Sequence, residues 1–135
     1  MDINNIIIKG EGSLLLISFW GWGNMYLKFD KKEDKLIVYL IGELDHHSAE
    51  EVRNKIDDRI DKEKLIKLIM NFSEVTFMDS SGIGVVIGRY KKILLKNGTI
   101  CVTEVKGPVK KVFELSGMFK IIRLFNNVEE AVMSI

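Results

Sequence analysis

From Met25 onward, strand-length apolar runs alternate with segments of helical period, and this alternation leaves few architectures open. Tyr26 to Asp30 alternates apolar with polar residues and reads as an edge strand. Leu36 to Ile41 is a continuous apolar run, as expected of a strand central to a sheet. Ser48-Ala49-Glu50-Glu51 fits a capping box, with Ser48 as cap and Glu51 reaching back. The helix it starts runs to about Asp61, with Val52, Ile56 and Ile60 on one face. Leu65 to Phe72 is the next strand. A second helix carries Val85, Val86, Ile87, Tyr90, Ile93 and Leu94 and stops at Asn97-Gly98. Thr99 to Val105 reads as a strand. Pro108 opens a third helix, with Val109, Val112, Phe113 and Leu115 as its apolar positions and Ser116-Gly117 as its end. Met118, Phe119 and the apolar C-terminal helix read first as core, with an interface as the alternative. A short strand, Ile121 to Phe125, and a short helix, Asn127 to Ile135 with Val128, Ala131 and Val132 inward, close the chain. The order β-β-α-β-α-β-α-β-α predicts a single α/β domain. Its sheet is mixed and mostly parallel, of about four or five strands with about four helices and right-handed crossovers.

Composition narrows the class of function. The chain has 135 residues, 47% of them apolar, which suits one domain with a real core. Charged residues make up 29%, yet the net charge is +1 and the lysines and arginines are dispersed. That distribution argues against a nucleic-acid or anionic-membrane partner. Lys91-Lys92 and Lys110-Lys111 read as solvated helix faces. The single cysteine, Cys101, has no partner for an internal disulfide and lies in an apolar strand, so it reads as a small core hydrophobe and fits a reducing cytoplasm. No run approaches the ~18–20 apolar residues of a spanning helix. Leu14 to Trp20 is the nearest and lacks the flanks of a secretory signal. The expected setting is cytoplasmic, without membrane, metal or cofactor.

The first 24 residues break the pattern. They hold Trp20, Trp22, Gly10, Gly12, Gly21 and Gly23, and show neither a period of two nor of 3.6. The chain therefore divides into an atypical extension, 1–24, and a regular domain, 25–135. Three readings of the extension stand side by side. Met25 is the true start, since the codons of Trp22-Gly23-Asn24 must read TGG-GGN-AAY, a purine-rich run that resembles a ribosome-binding site. Alternatively Ile6 to Ile8 and Leu14 to Phe19 add real strand. In the third reading the segment is a hydrophobic partner-binding tail.

Phe77-Met78-Asp79-Ser80-Ser81-Gly82-Ile83-Gly84 joins a strand to a helix. Hydroxyls at a helix start cap free N–H groups, and a phosphate there meets the same N–H groups and the positive end of the dipole. Gly42 to Ser48 also follows a strand, so the two loops are expected to face each other at the carboxyl edge of the sheet. A serine hydrolase is poorly matched, because Ser80 lacks the Gly-x-Ser-x-Gly frame and only the adjacent His46 and His47 are available as bases. Two adjacent histidines do not supply a zinc ligand set. Gly82-Ile83-Gly84 lacks the Lys-Ser/Thr of a P-loop and the third glycine of a dinucleotide fingerprint. Local chemistry leaves a plain helix cap and a functional loop as equal alternatives.

Four blocks together resemble the STAS-domain family of anti-sigma factor antagonists, in its sporulation type. They are Gly42-Glu43-Leu44-Asp45-His46-His47-Ser48-Ala49-Glu50, Phe77 to Val85, Gly88-Arg89-Tyr90-Lys91, and Leu115 to Arg123. The resemblance runs in register from Met25 to Ile135 and has no counterpart for residues 1–24. It implies a binding protein with no catalytic residue of its own. Ser80 corresponds to a serine phosphorylated by an anti-sigma factor that is also a serine kinase. The unphosphorylated antagonist binds that kinase and frees the sigma factor; the phosphorylated one lets go, and a serine phosphatase resets it. The implied switch surface comprises Asp79 beside the phosphosite, Asp45 near it, Glu43, His46, Ser81 and Gly82, the last two serving the helix start. A general-stress antagonist is the alternative within the family, and a small serine hydrolase using Ser80 the alternative outside it.

Overall fold

The computed structural model describes residues 2–10 and 13–135, with side chains from Trp20 onward; Gly12, counted among the glycines of the extension, lies outside them. Its elements are β1 (Asp2–Gly10), β2 (Ser13–Trp22), β3 (Met25–Lys32), β4 (Lys35–Leu44), α1 (Ala49–Glu63), β5 (Lys67–Met78), α2 (Ser80–Leu95), β6 (Thr99–Thr103), α3 (Gly107–Ser116), β7 (Arg123–Phe125) and α4 (Val128–Ser134), with a 3-10 turn at Met118–Lys120. One sheet holds all seven strands in chain order. The pairs β1–β2, β2–β3 and β3–β4 are antiparallel. β4, β5, β6 and β7 are parallel neighbours, each crossover carrying one of α1, α2 and α3.

The α/β order expected of residues 25–135 is present, with five strands and four helices. The sheet is larger than expected because the preceding segment contributes β1 and β2. For the same reason β3 is not an edge strand: β2 pairs with it on one side and β4 on the other. Its alternation, with Met25, Leu27 and Phe29 buried and Tyr26 exposed, reports which face meets the core. It carries no information about how many neighbours the strand has. β5 does not stop near Phe72 but runs to Met78. Pairing with β6 ends at Asn71↔Thr103, while pairing with β4 continues through register shifts to Leu44↔Met78. The second half of β5 therefore has one neighbour and a partly wet face, and its residues are polar enough to hide a strand.

Helices α1, α2 and α3 cover one face of the sheet. Val52, Ile56 and Ile60, Val86 and Ile93, and Val109 and Phe113 pack there on Leu36, Val38, Leu40, Leu68, Met70 and Phe72. Helix α4 covers part of the other face, where Val128 and Ala131 meet Ile37, Ile69, Cys101 and Phe125. This two-sided burial is why Leu36 to Ile41 reads as an unbroken apolar run. Cys101 is fully buried, and burial pushes its thiol up to about 12, which bears out its reading as a core residue. Met118 is core as expected, and Phe119 packs partly buried against it. Leu115 is not an inward position of α3; it is 84% exposed, two residues out of phase with Val109 and Phe113. Leu94 likewise faces out of α2. Arg89 on α2 places its Nε 2.8 Å from Asp57 Oδ1 on α1. Burial opposes that guanidinium's charge and Asp57 supports it, so the pair ties the two helices that carry the site.

Candidate functional site

β4 and β5 are adjacent, parallel and in register at their ends, Leu44↔Met78. The loops that follow them must therefore emerge side by side at the carboxyl edge of the sheet. The Asp79 N–H donates to the Leu44 carbonyl at 3.4 Å and begins the junction. The Asp79 carboxylate completes it. Its Oδ1 accepts the Ser81 N–H at 2.8 Å, and its Oδ2 accepts the His46 N–H at 3.3 Å. His46 Nδ1 lies 3.7 Å from the same Oδ2. One side chain thus caps a helix and holds the opposite loop. The second loop is fastened within itself: Asp45 Oδ1 accepts the N–H groups of His47 at 2.9 Å and Ser48 at 3.2 Å.

Neither expected hydroxyl cap forms. Asp79 is the N-cap of α2, with extended backbone, and Ser80 is the first helical residue. From the cap position a carboxylate reaches the N–H two residues on, whereas the Ser80 side chain projects outward. Ser80 is exposed and Ser81 half-buried. Ser48 stands at the start of α1 without a capping bond. Its hydroxyl turns back to accept the Asp45 N–H at 3.2 Å and donate to the Glu43 carbonyl at 2.9 Å, so it stabilises the loop in place of the helix. Glu43 points the other way, its Oε2 accepting from Asn24 Nδ2 at 3.0 Å.

The STAS domain family matches this chain over residues 26–131. The chain belongs to the STAS domain family. It is similar to the anti-sigma F factor antagonist of Paenibacillus polymyxa, 38% identical over 109 residues that cover 81% of this chain and 93% of the relative. Its fold is similar to that of the anti-sigma factor antagonist SpoIIAA in its unphosphorylated form, with a TM-score of 0.69 and 33% identity over 78% of this chain and 92% of the other. The Bacillus cell fate determinant SpoIIAA in its phosphorylated form gives 0.63 and 31% over 79% and 96%.

Within this STAS domain, Asp45, His46, Asp79, Ser80, Ser81 and Gly82 come together at one edge, with Glu43 flanking them. Three neighbours were not among the residues that the sequence assigned to the site. Asn24 sits in the irregular extension. Arg53 and Gly84 line a groove of about 460 Å³ between α1 and α2, together with His46, Ala49, Glu50, Ser81 and Val85. Their i+4 and i+3 offsets from Ala49 and Ser81 place them on one face, but only the helix packing makes that face a groove.

Gly82 serves close packing. A Cβ there would lie 2.4 Å from Met78 Cγ and 3.1 Å from Leu44 Cγ, on the very strand ends that position the loops. Gly82→Ala is expected to cost about 1–3 kcal/mol by overpacking. Urea unfolding measures this, and a loss below about 0.5 kcal/mol would mean that Met78 yields freely.

Proposed function

We propose that the protein is an anti-sigma factor antagonist whose unphosphorylated form binds an anti-sigma factor serine kinase and frees the sigma factor. Phosphorylation of Ser80 switches that binding off, and a serine phosphatase restores it. The observation that carries the reading is the division of labour at the start of α2. Asp79 takes the capping role, and Ser80 stands exposed at the first helical position. A phosphate added there meets N–H groups and the positive end of the helix, so the domain itself tolerates it. Asp45, Asp79, Ser81, Gly82, Glu43 and His46 form the surrounding partner surface, and residues 25–135 are the unit that carries it. The similarity to anti-sigma F factor antagonists supports the sporulation type over the general-stress type. No helix among the described residues is long and apolar enough to cross a membrane, and the proposed site of action is the cytoplasm.

A hydrolase reading requires an imidazole on Ser80, and the nearby His46 is instead held against Asp79. Incubation with the anti-sigma kinase and ATP, followed by intact-mass measurement, separates the readings. The parent gains one phosphoryl group and leaves the complex; Ser80→Ala gains none and stays bound. A phosphoryl group on Ser80→Ala overturns the site assignment, and turnover of an ester substrate by the parent overturns the switch.

A further inference from the structure

The β2–β3 turn, Trp22-Gly23-Asn24, is fastened to the loop that leads into the switch. The Asn24 carbonyl accepts the Glu43 N–H at 3.0 Å while Asn24 Nδ2 donates to the Glu43 carboxylate at 3.0 Å. Gly42 makes this approach feasible. Its φ is +111°, and a Cβ there would fall 2.0 Å from the Asn24 oxygen. Between turn and loop lies a cleft of about 230 Å³ walled by Trp22, Asn24, Glu43, Asp45, His47 and Ser48.

Two features give this cleft a chemistry. Trp20 and Trp22 lie on one face of β2; Trp20 is 6% exposed in the core, whereas Trp22, beyond its rim, is 46% exposed. The opposite wall carries the Glu43 carboxylate, which accepts from Asn24 Nδ2, and the Asp45 carboxylate, which accepts the N–H groups of His47 and Ser48. An indole face and two carboxylates complement a guanidinium or ammonium group, which ring and charge both attract. The cleft is continuous with the switch, since the loop from Asp45 runs on to His46 and its bond to Asp79.

We infer that this cleft belongs to the partner-binding face and receives an arginine or lysine side chain of the anti-sigma factor, with Trp22 as its aromatic wall. The inference rests on the antagonist reading above. It makes Trp22 and Asn24, which precede the stretch matched to the STAS family, determinants of partner choice.

The test titrates the full chain and its variants against the purified anti-sigma kinase at low and high salt. Trp22→Ala is expected to weaken binding about tenfold or more, chiefly through faster dissociation, and Trp22→Phe to recover most of it. Glu43→Gln is expected to lower affinity and flatten the salt dependence, and Leu95→Ala, at the far end of α2, to change nothing. Thermal unfolding of each variant separates lost contacts from lost fold. Trp22→Ala binding as tightly as the parent overturns the inference and leaves the antagonist reading standing. So does an amino-terminal mass showing that the native protein begins at Met25. A parent chain that does not bind the kinase at all overturns both.

Discussion

Ser80→Asp is expected to weaken the complex with the anti-sigma factor some hundreds-fold, while the melting temperature stays within about 3 °C of the parent. The two halves of this result come from opposite environments of one side chain. In the free domain, position 80 is exposed and begins α2, where a carboxylate lies near the positive end of the helix dipole. A charge there is neutral to mildly stabilising, by about 0.3–1 kcal/mol. In the complex the same charge is carried into a surface that already holds Asp79, Asp45 and Glu43. An added anion then loses water without gaining a partner, at a cost of roughly 3–4 kcal/mol. A phosphate, with about −1.5 to −2 charges, acts in the same direction and more strongly. Calorimetric titration reads the first half and circular dichroism melting the second. Affinity within about threefold of the parent would exclude charge as the switch. A melting temperature lowered by more than about 8 °C would place the effect in the fold.

The same asymmetry explains why Asp79 is built as it is. Both carboxylate oxygens accept backbone N–H groups, one from α2 and one from the His46 loop. Asp79 therefore sets the geometry of both loops at once, and the neighbouring Ser80 hydroxyl stands exposed, outside the capping role. Two consecutive serines after an acid look redundant as caps; with the cap assigned to Asp79 they are no longer competing for one role.

Much of this was legible in the chain. The alternation of strand and helix periods yields the element order from Met25 to the C terminus. Parallel neighbours then bring the Gly42–Ser48 and Asp79–Gly84 loops together without any knowledge of side chains. What stayed hidden has specific physical causes. Serine and aspartate are equally good caps by propensity, and only the backbone geometry at Asp79 decides between them. Ser48 fits a capping box in sequence, yet loop closure recruits its hydroxyl first. Residues 73–77 of β5 lack an apolar pattern because a single neighbour and a bulge leave them half wet. The edge reading of β3 failed because burial alternation describes faces, and its second neighbour comes from a segment without periodicity.

Phe113→Ala is expected to remove about 3–5 kcal/mol of folding stability, the usual cost of truncating a fully buried phenylalanine. Phe113 is the inward anchor of α3 and has no exposed surface. Its ring meets Phe72 of β5 edge-on at 5.2 Å and stacks on Phe119 at 5.3 Å. Truncation therefore opens a cavity bounded by the sheet, the helix and the following 3-10 turn, three walls that cannot all collapse inward. Against a total stability of about 5–15 kcal/mol, such a loss brings the domain near its unfolding threshold. The site, however, is assembled from the ends of β4 and β5 and the starts of α1 and α2, whereas the ring contacts of Phe113 are to Phe72, in the middle of β5, and to Phe119. Urea unfolding should thus show a midpoint far below that of the parent, while the molecules that remain folded bind the anti-sigma factor with parental affinity. A loss under about 1.5 kcal/mol would mean that α3 repacks over the gap. Weakened affinity of the folded fraction would mean that the switch surface depends on the α3 side of the core as well as on the strand ends.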